Sequence, residues 1–166
     1  MKKLIASVLA LGLMISPAFA LNQFFQVNSG QWSIEGYTGD KDFCSAKTYW
    51  NDGSYVSLFN MRNSDTFSLY VHNKDWNMNG DIGSYYSGDV YFEGSAGRQK
   101  LYVEFELKDS QTIVLRNLTD AFINSWVEYR EMTIIMPNDI PNMSMGLTGT
   151  RDSIDAFVSC IDILNQ

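Results

Sequence analysis

Between positions 101 and 108 apolar and polar residues take turns, with Leu101, Val103, Phe105 and Leu107 set against Tyr102, Glu104, Glu106 and Lys108. A period of two marks a strand with one buried face. Phe67, Leu69 and Val71 against Thr66, Ser68, Tyr70 and His72 repeat the pattern. Met132, Ile134 and Met136 against Glu131, Thr133 and Ile135 do so less cleanly. Further strands are predicted over 31–37, 43–49, 54–61, 89–93, 112–115 and 143–147. Asn51-Asp52-Gly53 reads as a hairpin turn between two of them. Asn79-Gly80 and Gly94-Ser95-Ala96-Gly97 punctuate the middle of the chain. Successive strands at this spacing, each with one polar face, predict an antiparallel sheet or sandwich.

Helical period takes over near the end. Ile154, Phe157, Ile161 and Leu164, flanked by Ala156 and Cys160, trace one apolar stripe. Thr150 is the expected N-cap and Asp152 lies in the first turn. A shorter helix is predicted over 119–126. Asp120-Ala121-Phe122-Ile123 and Asp155-Ala156-Phe157-Val158 are nearly the same tetrapeptide, 35 residues apart. That match reads as a duplicated strand–helix unit or as convergent packing of two amphipathic helices, and its brevity favours the second. The fold class is therefore mainly β (α+β), with the C-terminal helix packed on the sheet.

The first 20 residues change the picture. Met1-Lys2-Lys3 is a basic start, positions 4–15 are apolar, and Pro17-Ala18-Phe19-Ala20 ends in the small-x-small pattern of a cleavage site. This is the pattern of a bacterial Sec-type signal peptide cut after Ala20. Its twelve apolar residues are short for crossing about 30 Å of hydrocarbon. Residues 21–166 then form one exported domain, periplasmic or secreted, without stable membrane insertion. Lys2 and Lys3 leave with the leader, so ten bases face nineteen acids, a net charge of −9. Such a surface repels phosphate backbones, which excludes nucleic acid as the expected partner. Aromatics at 14% and charged residues at 19% exclude a disordered or coiled-coil chain. In an oxidising compartment the two cysteines, Cys44 and Cys160, predict one disulfide tying the early strands to the last helix. A redox-active pair ordinarily has C-x-x-C spacing, which this chain lacks.

Candidate chemistry is sparse, and no catalytic residue is assigned. His72 is the single histidine, on the polar face of a predicted strand, where a role in a Ser–His–acid triad is only formal. Glu104 and Glu106 share a strand face and read as solvated, although a glycan or cell-wall hydrolase would need two such carboxylates. Asp40 and Asp42 read as turn residues. The segment 75–81, Asp75-Trp76-Asn77-Met78-Asn79-Gly80-Asp81, matches the first half of a calcium loop. Asp75, Asn77, Asn79 and the Asp81 carbonyl are the candidate ligands for weak calcium binding. Tyr86 stands where such a loop carries its bidentate Glu, and the flanks read as strands, so a polar hairpin loop is the plainer reading. Trp50, Tyr85, Tyr86 and Tyr91, with Tyr49, flank turns or occupy polar strand faces; exposed together, they would favour a protein or glycan partner.

A tryptophan strand, Gln31-Trp32-Ser33-Ile34, is followed by Cys44-Ser45-Ala46. Near the end comes Gly146-Leu147-Thr148-Gly149-Thr150, then Ser153-Ile154, Ala156-Phe157 and Cys160. This arrangement resembles small exported proteobacterial proteins of uncharacterised function. More loosely it is similar to the invasion-associated locus B proteins, whose late segment usually lacks the terminal Cys found here. The resemblance implies an exported β-rich domain with a Cys–Cys tie and transfers no catalytic residue. The combined expectation is a non-enzymatic exported protein that binds another macromolecule, of inhibitor, immunity or host-interaction type. The alternatives are a carboxylate-dependent hydrolase and a weak calcium-dependent glycan-binding module.

Overall fold

The computed structural model describes residues 21–95, 97–136 and 140–166. Residues 1–20, where a leader and its cleavage site are expected, Ala96, and 137–139 lie outside the described residues. Ten strands form one antiparallel sheet: β1 (Asn22–Ser29), β2 (Trp32–Thr38), β3 (Phe43–Tyr49), β4 (Tyr55–Met61), β5 (Phe67–His72), β6 (Tyr85–Gly94), β7 (Gly97–Asp109), β8 (Thr112–Leu118), β9 (Glu131–Ile135) and β10 (Met143–Gly146). Helix α1 (Asp120–Glu128) joins β8 to β9, and α2 (Thr150–Leu164) ends the chain. The spatial order is β1-β2-β3-β4-β5-β8-β7-β6-β9-β10. It is a single sheet with helices on one face rather than a sandwich of two.

Strand alternation decides which face is which. Ile34, Cys44 with Ala46, Val56 with Leu58, Leu69 with Val71, Ile113 with Leu115, Phe105 with Leu107, Val90 with Phe92, and Met132 with Ile134 all point inward. Helix α1 adds Phe122, Ile123 and Trp126, and α2 adds Ile154, Phe157, Cys160 and Leu164. These side chains make one continuous core, the two-layer solution that hides the apolar face of a sheet. Trp32 of β2 meets Trp126 of α1 edge to face, with ring centroids 5.6 Å apart.

The disulfide forms as expected, joining Cys44 on β3 to Cys160 on α2, 116 positions apart in sequence, with Cα atoms 6.1 Å apart. Beside it, Gly36 leaves room that no other residue would. A Cβ there would lie 2.5 Å from the Phe24 ring and 2.7 Å from Cys160 Sγ.

Several boundaries differ from the sequence reading, each for a local reason. Strand β1 carries Asn22-Gln23-Phe24-Phe25-Gln26-Val27 without clean alternation; as an edge strand it is held by backbone pairing to β2 and buries little. Thr150 is the first helical residue of α2, and Gly149 caps it with a left-handed φ of 83°. The Thr150 hydroxyl lies 2.8 Å from the Leu147 carbonyl and 2.9 Å from that of Trp126, so it links the two helices. The shared tetrapeptide opens α1 but falls in the middle of α2, so the two copies hold different places in their helices.

Because β8, β7 and β6 follow β5 in reverse order, the connection from β5 to β6 must cross the end of two strands. It does so against the β7–β8 turn: the Met78 N–H donates to Ser110 O at 2.8 Å and the Gly83 N–H to Leu107 O at 2.7 Å. Trp76 anchors the crossing, 1% exposed, with its indole N–H donating to the Pro141 carbonyl at 2.9 Å.

Candidate functional site

The residues singled out for chemistry do not converge. The His72 ring is 3.0 Å from the Thr112 hydroxyl and stacks on Tyr55 at 5.0 Å. Glu104 and Glu106 project from the same outer face of β7, Glu104 exposed and Glu106 buried. Arg116 holds Glu106 through Nε at 2.7 Å and its terminal nitrogen at 2.6 Å, and Lys108 binds the other oxygen. Those bonds, first from Lys108 and then from Arg116, outweigh burial and lower the Glu106 pKa. A carboxyl held ionised in this way is a poor proton donor at neutral pH. Asp42 closes a turn, accepting the Gly39 N–H at 2.8 Å and pairing with Arg62 at 3.0 Å, while Asp40 is exposed.

In the 75–81 segment, exposed Asp75, Asn77 and Asn79 alternate with buried Trp76 and Met78. Asp75 pairs with Lys74 at 3.2 Å, and the Asp81 carbonyl accepts the Ser84 N–H at 3.0 Å. Among the described residues no three His, Cys, Asp or Glu side chains are grouped to hold a metal ion.

The candidate aromatics are scattered. Tyr85 is 62% exposed, whereas Tyr86 faces inward and stacks on Phe105 at 5.8 Å. Tyr91 lies under the Arg98 guanidinium, 4.0 Å from its centroid, and Trp50 packs half-buried against the core. Tyr49 is the one that joins a larger assembly.

That assembly is on the outer face of β2–β5. Register places Tyr37 opposite Phe43, Ser45 opposite Phe59, and Ser57 opposite Tyr70. The rings form a chain across four strands: Tyr37 to Phe43 at 5.3 Å, Phe43 to Phe59 at 5.8 Å, and Phe59 to Tyr70 at 5.2 Å. With neighbouring strands about 4.8 Å apart, it spans roughly 15 Å. A second row, Tyr49–Tyr55–His72, runs beside it at 5.6 and 5.0 Å. Met61, 43% exposed, lies opposite Phe43 on β4.

Beneath and between the rings sit small residues. Ser45 and Ser57 are buried on this outer side, and neither hydroxyl has a hydrogen-bond partner. Apart from the exposed Tyr49, the rings are half-buried, and burial raises the pKa of both Tyr37 and Tyr55, helped by the charge of Glu35 and of Asp109 respectively. Both phenols stay neutral at physiological pH. Around the rings, Glu35 accepts the Tyr37 hydroxyl at 3.2 Å and lies 3.9 Å from Lys47, whose ammonium sits 5.7 Å from the Phe59 centroid.

An antiparallel sheet with one covered face ordinarily turns polar side chains to solvent, and β6 and β7 come nearer to that pattern. Their outer side carries the ion pairs Asp89–Lys100 at 2.9 Å and Glu93–Arg98 at 2.9 Å. The signal for the aromatic face was present in β4, where Tyr55, Phe59 and Met61 oppose Val56 and Leu58; a strand apolar on both sides has two surfaces to cover. No helix of the described residues is long and apolar enough to cross a membrane. No family model, curated protein or solved structure matches the chain.

Proposed function

We propose that this is an exported, non-enzymatic protein whose outer β2–β5 face binds a protein partner, in the manner of an inhibitor, immunity or host-interaction factor. The observation that carries the reading is the run of four rings from Tyr37 to Tyr70. Tyr, Phe and Met are among the residues enriched at protein interfaces, and this face supplies Tyr37, Phe43, Phe59, Tyr70 and Met61. The charged groups at its margin, Glu35, Lys47 and the Asp42–Arg62 pair, suit the polar rim that surrounds an apolar interface centre. Export is supported by the leader's composition and by the Cys44–Cys160 disulfide, a bond that persists in oxidising compartments.

The test is comparative capture from the envelope and medium of the producing cell. Oxidised residues 21–166 serve as bait beside Phe59→Ala, Tyr70→Ala and the control Tyr102→Ala, which removes an exposed ring from β7. A central anchor contributes about 2 kcal/mol or more, near thirtyfold in affinity. A specific protein retained by the native bait and the control, and lost with Phe59→Ala, is expected. Retention insensitive to Phe59 and Tyr70 overturns the reading. Retention competed away by soluble glycan transfers the face to a carbohydrate.

A further inference from the structure

Where the β5–β6 connection crosses the end of the sheet, it leaves a cavity of about 480 Å³. Its walls are apolar: Phe105 and Leu107 from the inner side of β7, Tyr86 from β6, Met78 from the crossing segment, and Ile140 with Pro141 ahead of β10. The mouth is polar, with Asp75, Asn77 and Asn79 around it. We infer that this cavity binds an uncharged, mainly apolar small molecule, such as an aromatic or alicyclic ring compound bearing a hydrogen-bonding group. The inference is independent of the protein-binding face, which lies on the opposite side of the sheet.

Three observations define the ligand class. The volume falls in the range of about 300–1,000 Å³ typical of small-molecule sites, which pair apolar walls with a few polar groups. Gly80 leaves room for Tyr86: a Cβ at position 80 would collide with the Tyr86 hydroxyl and come within 3.0 Å of Leu107. The Tyr86 ring, stacked on Phe105 with planes 22° apart, can therefore close one wall with its hydroxyl beside the loop. Asp75, the charged residue of the lining, is itself paired with Lys74 at 3.2 Å, and the carboxamides of Asn77 and Asn79 offer donors and acceptors without charge. An anionic head group would find no cationic side chain among the described lining residues and would meet the net negative charge of the chain. The cavity therefore suits a neutral ligand better than a fatty-acid anion.

The spacing of the 75–81 segment thereby gains a role other than ion binding. Alternation turns Met78 into the cavity and Trp76 into the core, and leaves the Asn side chains at the entrance.

Titration of the oxidised protein with the neutral probe N-phenyl-1-naphthylamine, beside the anionic 8-anilinonaphthalene-1-sulfonate, tests the assignment. Saturable one-to-one binding of the neutral probe is expected. Asn77→Trp and Asn79→Trp, which place bulk at the mouth on exposed positions, should weaken it at least about tenfold, equivalent to 1.4 kcal/mol. Asn124→Trp on the exposed side of α1 should leave it unchanged. Absent binding, equal binding by the mouth variants, or preference for the sulfonate overturns the inference. Phe59→Ala should not alter probe affinity, so this result and the fate of the protein-binding face are read separately.

Discussion

At Gly36 a single hydrogen atom lets β1, β2 and α2 meet. The disulfide sulfur cannot swing away from an added methyl group as a free side chain would, so crowding at 2.7 Å must be relieved by backbone movement. Gly36→Ala is expected to destabilise by about 1–3 kcal/mol, measured by denaturant titration; an unchanged midpoint would show that the sheet yields there freely. Ser57 presents the reverse case. Its buried hydroxyl lacks a partner, so Ser57→Ala should be neutral or stabilise by about 1 kcal/mol, and a clear loss of stability would reveal a partner for that oxygen. Glu106 supplies the pH dependence. Its folded pKa lies below the ordinary carboxylate value because of Lys108 and Arg116. Its contribution to stability is therefore complete above about pH 4.3, the unfolded value, and disappears as pH falls through the lowered one. The stability gap between the native protein and Glu106→Gln should accordingly be open at pH 7 and close in acid. A gap that stays constant with pH contradicts this.

Among the elements, α2 depends most on a covalent tie. The loop closed by Cys44–Cys160 has 116 residues of separation, for which chain entropy alone gives about 5 kcal/mol. Replacing both cysteines by serine should lower stability by an amount of that order and make it indifferent to reductant, as read by denaturation with and without a thiol. A reductant-independent native protein would mean that helix packing alone holds the clasp. The strongly alternating strands and the C-terminal stripe were legible because burial on one face leaves a period in the sequence. Leu69 and Val71, Phe105 and Leu107, and Phe157 and Leu164 all obey it. Strand β1 was not legible, since Phe24 and Val27 remain 36% and 39% exposed and its pairing is made by backbone groups common to every residue. The cap of α2 was misplaced for a similar reason. A left-handed Gly149 and a Thr150 hydroxyl aimed at α1 are tertiary arrangements, and a local cap rule favours Thr at the boundary.

Across the whole molecule, topology was the part the one-dimensional pattern could not supply. Nothing in the spacing of strands says that β8 rather than β6 pairs with β5, yet that reversal creates the crossing segment and the cavity under it. The aromatic face was hidden because its members come from four strands. Tyr37, Phe43, Phe59 and Tyr70 each stand on a different one of four successive strands and become neighbours only through register. The aromatics that stood out beside turns, Trp50, Tyr85, Tyr86 and Tyr91, do not gather into one patch.

Photocrosslinking in the producing cell decides whether the outer β2–β5 face meets a protein partner. A benzophenone side chain placed at Phe43, and separately at Tyr102 on β7, reports what touches each half of the sheet. A discrete crosslinked protein is expected from position 43 and none from position 102. No adduct at 43, or the same adducts from both positions, would contradict it.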